Sequence, residues 1–384
     1  MSYHHQKRIR LLDIFRGIAI LGTLGTNIWI FAYLGDISYI FTFDHYEWWS
    51  SIDHFIRILS LSLVNGKLLG LLAIMFGIGL ELKYQQSLRK GRPWPGVYLW
   101  TSLFLLIEGF LHFTFVMEYD ILMAYAIAAI IVAFIVKAGM KYIKRSMILI
   151  GVIHLLFILL LFLAGLTQQI SGNFLGDMQE TTYLYENKSW LDQIQYRLSN
   201  FLSLRGEAIF TIPLNVFLFL TGVLLMRKGA FANDAKGRYI RRKMLQIGLC
   251  VGLPLNLLLF VPGGLFDFPV RYLFAPILSI GYMGLIAFMV EKKESLHVWG
   301  ILEKVGKASL SCYVMQNILC SIIFYGWGLG VAPLEDSFII LLILCLVSVV
   351  QVLFVILWLK FYKHGPMEAG RKFMTRLVMP INSK

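Results

Sequence analysis

Residues 105–122 read LLIEGFLHFTFVMEYDIL. An apolar run carries Glu108 and His112 one helical turn apart, breaks at the acidic MEYD of residues 117–120, and turns apolar again. A four-residue break between two oily segments predicts a tight hairpin of two apolar helices. The glutamate and histidine inside the first helix then need an explanation, because a charge in lipid is costly.

The rest of the chain sets that hairpin in context. Of 384 residues, 58% are hydrophobic, and mean hydropathy is +0.72. Windows of ~20 apolar residues, long enough to cross a hydrocarbon core of about 30 Å, recur throughout. They predict an all-α, polytopic integral membrane helical bundle, one transmembrane domain over 1–384. The ten expected transmembrane helices lie near 11–33, 58–82, 97–116, 121–137, 147–166, 207–226, 244–262, 271–290, 308–330 and 337–359. The first is too long for a removed signal peptide and lacks a cleavage site. Cys250, Cys312, Cys320 and Cys345 all fall in apolar segments, where they read as free thiols packed as small apolar groups.

The net charge of +13 is spread in short patches rather than along one face, which argues against a nucleic-acid partner. Sorted by connector, the bases alternate. Lys83, Arg89, Lys90 and Arg92, then Lys137, Lys141, Lys144 and Arg145, and later Arg227 to Lys243, fall on one side; Asp36, Glu47, Asp53, Glu118, Asp120, Asp177 and Glu335 fall on the other. The positive-inside rule then places both termini in the cytoplasm of a bacterial cell, with a multi-pass chain in the cytoplasmic membrane. The long extracytoplasmic loop, 167–206, has helical periodicity after Ser189, read either as an amphipathic cap on the membrane surface or as a mobile loop. No repeated half and no pair of interrupted helices in matching positions is visible.

Polar residues inside spans are the candidate site. Lys67 lies roughly 13 Å below the outer end of its span at 1.5 Å per residue. Glu108 and His112 share a helix face, so the carboxylate can orient or charge the imidazole, with Asp120 just above; a salt bridge from Glu108 to Lys67 is the competing arrangement. His154 reads as structural. In the first span, Asp13 and Arg16 stand at the inner mouth and Asn27 in the outer third, joined by Gly17, Gly22, Gly25 and Thr26. That small-residue stripe outlines either a channel or a helix–helix seam.

At this point a resemblance enters. RIRLLDIFRGIAILGTLGTN, NGKLLGLLAIMFGIGLEL, GFLH followed by DILMAYA, VGKASLSCYVMQNIL and HGPMEAGRKF together resemble the YeiB-like bacterial membrane family. The family is similar to a wider set of transmembrane acyltransferases that includes heparan-glucosaminide acetyltransferase. The resemblance implies an enzyme that carries an acyl group, acetyl above all, from cytosolic acyl-CoA to an acceptor across the membrane. Glu368 and Arg371 belong to its closing motif. HYEWWSSID echoes a His-x-x-Trp segment of the lysosomal enzyme, making His45 and Asp53 reserve candidates. SLSCYVMQN departs from the family's usual Thr-Asn-Tyr run without adding an obvious chemical group.

Acyl transfer needs a base, a donor to the thioester carbonyl and a phosphate site. The expected assignment makes His112, held by Glu108 or Asp120, the base; Asn27 and Lys67 the carbonyl donors; and Asp13, Arg16, Glu368 and Arg371 the coenzyme mouth. A continuous hydrophilic tunnel would join the two. Scattered histidines and the lack of ligand spacing point to no metal. The expected partners are the bilayer, acyl-CoA and an extracytoplasmic glycan or small metabolite, with a homodimer compatible. The rival class is a transporter or channel using the same residues; a third is a membrane protein without turnover.

Overall fold

An apolar segment in lipid satisfies its backbone only by hydrogen-bonding within itself, as a helix. The computed structural model describes residues 9–42, 47–166 and 178–378, and among these it contains helices and turns but no strand. In order come α1 (Arg10–Ala32), α2 (Ile52–Val64), α3 (Lys67–Arg89), α4 (Val97–Phe115), α5 (Leu122–Ala138) and α6 (Met140–Leu166). Short helices α7 (Met178–Asn187), α8 (Trp190–Ser199) and α9 (Phe201–Leu204) lead to α10 (Ala208–Arg227). Then follow α11 (Ala235–Ile247), α12 (Leu253–Asn256), α13 (Asp267–Pro269), α14 (Ala275–Lys292), α15 (His297–Lys307), α16 (Ser309–Phe324), α17 (Ser337–Phe361) and α18 (Pro366–Val378).

Helices cover most of each of the ten expected spans, although 58–82 is broken at Asn65–Gly66 and 308–330 leaves the helix at Tyr325. Among the described residues eight helices are long and apolar enough to cross a membrane, and the pair α15–α16, bent by 84°, makes a ninth. α5 is a shorter apolar helix and packs on α4 as the expected hairpin.

Two of the apolar segments are interrupted. One break is the α15–α16 bend; the other separates α2 from α3 at Asn65–Gly66. Gly66 there has φ 74°, a conformation glycine adopts at little cost, and an added Cβ would meet the Arg271 carbonyl oxygen at 2.7 Å. A single glycine in an apolar run carries no stop signal in sequence, so the break was invisible.

The small-residue stripe of α1 is a seam. A Cβ on Gly17 would lie 2.1 Å from the Leu302 carbonyl oxygen, and one on Gly22 1.8 Å from Leu68 Cδ1. The stripe therefore seats α15 and the α2–α3 pair rather than lining a channel.

The buried apolar residues form two clusters. One surrounds Phe15, Ile74, Tyr125 and Phe219; the other surrounds Trp29, Phe31, Phe324 and Tyr325. The first lies toward the end where α1 begins and α17 finishes, called here the basic end. Between the clusters, on one helix after another, stand buried polar residues: Lys67, His112, Gln316, Asn317 and Gln351. Gln316 Nε2 donates to Thr23 Oγ1 at 3.2 Å, and Gln351 Nε2 to Gln316 Oε1 at 3.0 Å. A polar layer thus crosses the middle of the bundle, shielded by helices such as α6 and α17 that expose Leu149, Leu156, Leu342 and Leu353.

The second half of the long connector is helical and fastened to the bundle. Ser189 and Asp192 form a capping box that starts α8. Trp190 Nε1 and Arg197 Nη1 then donate to the carbonyls of Phe115 and Thr114 at 2.9 and 2.6 Å, satisfying the end of α4. Residues 167–177 lie outside the described residues. Cys312 and Cys320 are buried as expected, whereas Cys250 and Cys345 are exposed on apolar outer faces, where a thiol is as compatible with its surroundings as a small apolar group.

Candidate functional site

His112 is buried in the polar layer, hydrogen-bonded at one ring nitrogen and close to a carboxylate at the other. Nδ1 lies 3.1 Å from Asp120 Oδ1, with the ring N–H turned off the line to the oxygen; loose alignment of this kind is common before substrate binds. Nε2 lies 3.1 Å from Asn317 Nδ2, and Asn317 Oδ1 accepts from Asn27 Nδ2 at 3.2 Å. The polarity of this chain is consistent throughout. A carboxylate beside Nδ1 favours the tautomer with its proton there, and in that tautomer Nε2 accepts from Asn317. The Tyr313 ring packs on the imidazole at 5.1 Å between centroids.

Local structure explains how the site is held. α4 carries His112 to its last turn, and the turn after it brings Asp120 back, where Oδ2 accepts from Met123 N at 2.9 Å and so stabilises the start of α5. Arg205 secures the turn, donating to the carbonyls of Glu118 and Asp120, both at 2.9 Å. α16 presents Tyr313 and Asn317 on one face because residues four apart stack.

Beside this chain is a cavity of about 90 Å³, room for a few waters. Thr26, Asn27, Asp120, Tyr313 and the Gly66 break line it, as do Glu118, Arg205, Glu207, Asn215 and Arg271. His112 sits behind Asn27 and Tyr313. Glu118 Oε1 and Asn215 Nδ2 are buried without a hydrogen-bond partner, which marks the cavity as built for polar contents. Burial pushes the Glu118 carboxyl above its ordinary value, against the pull of Arg197 and the Tyr185 hydroxyl. Tyr272 Oη donates to Glu207 Oε1 at 2.5 Å, while Arg271 donates to Asn65 Oδ1.

Several expected roles change. Glu108 does not pair with His112 or Lys67: it accepts from Arg371 Nε at 2.9 Å and from Nη2. On α4 the carboxylate faces α18, and an opposite charge is available there. Lys67 is fully buried, with no partner for Nζ among the described residues; Arg271 is the charge acting on it, and no contact joins it to His112. Asp13 accepts from Arg16 at 3.0 Å. Glu368 accepts from Leu310 N at 2.8 Å and Ser311 Oγ at 2.5 Å, so it caps α16 instead of facing a phosphate. Asp53 accepts from Ser337 N at 2.8 Å at the start of α17, remote from the cavity. His45 lies outside the described residues. His154 Nε2 binds the Tyr272 carbonyl at 3.0 Å, the structural role expected of it.

Among the described residues the cavity does not extend as the expected open tunnel to the basic end. The cavity lining includes neither Arg16 nor Arg371, and the level between is filled by Ile20, Thr23, Gln316 and Gln351, all buried. Sequence reasoning missed Asn317, Tyr313 and Arg205. The signal for the first was present: adjacent Gln316 and Asn317 in an apolar helix were set aside as family variation, yet Asn317 joins His112 to Asn27.

Comparison with known proteins agrees with the motif reading. Residues 225–377 match the family described as "Protein of unknown function (DUF418)". The chain is 28% identical to "Uncharacterized protein YeiB" of Escherichia coli over 97% of its length and 98% of that protein. It is 25% identical to "Uncharacterized protein YxaH" of Bacillus subtilis, over 94% of this chain and 92% of that one. No solved structure matches the chain. His112, Asp120 and Asn27 precede the matched segment while Tyr313, Asn317 and Arg371 fall within it, so the site draws on both portions of a chain that is similar to the YeiB-like proteins over nearly its whole length.

Proposed function

We propose that the protein is a membrane acyltransferase: it takes an acyl group, acetyl in the simplest case, from cytosolic acyl-CoA and delivers it to a hydroxyl or amine acceptor on the opposite side of the bacterial cytoplasmic membrane, both termini being cytoplasmic. The observation that carries this reading is the Asn27–Asn317–His112–Asp120 chain. It leaves the Nε2 lone pair as the basic position and puts a carboxylate behind Nδ1, the arrangement by which a buried imidazole is set up as a general base.

In the proposed reaction the acceptor's O–H or N–H gives its proton to Nε2 in place of the Asn317 hydrogen bond. The acceptor oxygen or nitrogen then attacks the thioester carbonyl carbon. The resulting oxyanion accepts from the Asn27 or Asn317 amide, each of which supplies an N–H at this level. Collapse breaks the C–S bond, and the thiolate leaves with the proton held on His112. Asp120 stabilises the imidazolium between those steps.

His112→Ala in purified, reconstituted protein tests the assignment. Loss of acyl transfer from labelled acetyl-CoA by about 10²–10⁴-fold is expected of a general base, and undiminished transfer would remove His112 from the role. A transporter is the second reading, favoured by the Asn65–Gly66 break lining the cavity, since interrupted helices expose backbone to solutes. The same experiment separates them: a transporter neither transfers nor hydrolyses the acyl group.

A further inference from the structure

α18 crosses beneath the polar layer at the basic end and is only lightly held. None of its residues is fully buried, and Phe373 and Leu377 are exposed. Polar contacts fasten it through Glu368 on the start of α16, Met367 N donating to Ser311 Oγ at 3.0 Å, and Arg371 on Glu108, while the Met367 side chain packs on the apolar cluster. The last of these lies one helical turn below His112. Around Arg371 stand two more cations. Lys83 lies within electrostatic reach of both Arg371 and Arg16. Its Nζ sits 5.3 Å from the Tyr98 ring centroid, and it makes no ion pair among the described residues. The Arg16 guanidinium lies against α3 at Gly79, whose added Cβ would be 3.6 Å from Nη2. The carboxylates nearby are each bonded, Asp13 to Arg16, Glu108 to Arg371 and Glu368 to the start of α16, so an arriving anion competes with Asp13 and Glu108 for their arginines.

We infer that Arg16, Lys83 and Arg371 form a binding site for a phosphate-bearing anion, and that its arrival draws Arg371 off Glu108, releases α18 and opens the basic end below His112. The Glu108–Arg371 pair is then a latch. It occupies an anion-binding guanidinium with an internal carboxylate while the site is empty. An arginine fork suits a phosphate at least as well as a carboxylate, so the exchange conserves its hydrogen bonds. This deepens the proposed function in that acyl-CoA supplies such phosphates; an anionic lipid headgroup carries the same chemistry.

The test reads α18 position, not catalysis. Spin labels on Lys372→Cys and Lys90→Cys, in protein with Cys250→Ala and Cys345→Ala, report the α18–α3 distance. Adenosine 3′,5′-bisphosphate in neutral-lipid nanodiscs should lengthen it, and Lys83→Ala should blunt that response while leaving α18 docked in its absence. Glu108→Gln should raise the detached-to-docked ratio about tenfold without ligand, which is about 1.4 kcal/mol; Arg371→Lys, which keeps the charge and loses the fork, should shift it less. Movement with phosphatidylglycerol but not with the nucleotide would support the latch and assign the phosphate to lipid. No movement with either, and a docked α18 in Glu108→Gln, would overturn it. Acyl transfer is measured on the same samples: a moving latch without turnover sinks the acyltransferase reading alone, and turnover with a fixed α18 sinks the latch alone.

Discussion

Asp120→Asn isolates one function of one residue. The wild-type carboxylate accepts from Met123 N at 2.9 Å on Oδ2 and stands 3.1 Å from His112 Nδ1 on Oδ1. An asparagine amide of the same shape keeps the first through its oxygen and presents N–H to the second. The cap on α5 survives, which bounds the stability loss below the ~1 kcal/mol typical of removing a cap. The imidazole, facing a donor, must take the Nε2–H tautomer; Nε2 then meets Asn317 Nδ2, another donor, unless both Asn317 and Asn27 flip. Either outcome removes the lone pair that the proposed reaction uses. A comparable wrong-tautomer substitution in serine proteases costs roughly 10⁴-fold, so a loss of about 10³–10⁴-fold, or roughly 4–5.5 kcal/mol in barrier, is expected. The assay is single-turnover transfer from labelled acetyl-CoA in nanodiscs, run beside thermal unfolding. A variant with normal unfolding and transfer within a few-fold of wild type would refute the reasoning, because it would mean that the tautomer of His112 is irrelevant.

Three further outcomes rest on packing and charge. Gly306→Ala places a Cβ 1.8 Å from the Asp13 carbonyl oxygen; backbone against backbone cannot yield, so α1 and α15 should separate at a cost of about 1–3 kcal/mol, read as a lower thermal midpoint, and an unchanged midpoint would contradict the seam. Glu81 accepts two bonds from Arg227, both 2.9 Å, and is buried; Arg227→Ala strands that charge and should cost about 3–5 kcal/mol, whereas Glu81→Gln with Arg227→Gln together should cost less than either alone. Burial raises the Glu118 carboxyl above 4.5, and that of Asp36 above 3.8 against the hydrogen bonds from Ser38. The folded state therefore holds these protons more tightly, contributing stability that is complete below the unfolded values and lost as pH rises through the folded ones. Unfolding midpoints should fall over that rise, and Glu118→Gln should flatten the slope; a slope of opposite sign would count against it.

Hydropathy made the helices legible because it is a property of each segment, and the hairpin around 117–120 needed only a short acidic break. Partners across the bundle were not legible. Glu108 and His112 are neighbours on one helix, and sequence invited pairing them; α18, more than 250 residues on, brings Arg371 to Glu108, and the turn brings Asp120 to His112. Which of two acceptors a histidine meets depends on the rotation of α4 against α5 and α18, and no local pattern encodes that rotation. The Gly66 break escaped for a related reason: its necessity comes from the Arg271 backbone pressed against it, which is a tertiary fact.

The polar layer is where these two kinds of information meet. Lys67, His112 and Gln351 occupy separate helices far apart in sequence, and each alone is an expensive polar group in an apolar run. Placed between two apolar clusters, His112 and Gln351 bond to Asn317 and Gln316 of α16 as lipid could not, and the outer helices carry the hydrophobic surface instead. A layer that only locked helices together would leave no polar atom unpaired, since a half-satisfied network destabilises the fold it crosses. Lys67 Nζ in the layer, with Glu118 Oε1 and Asn215 Nδ2 in the adjoining cavity, remains without a partner. Such atoms persist where binding, rather than packing, determines the residue, and all three surround the level at which His112 is held by Asp120 and Asn317.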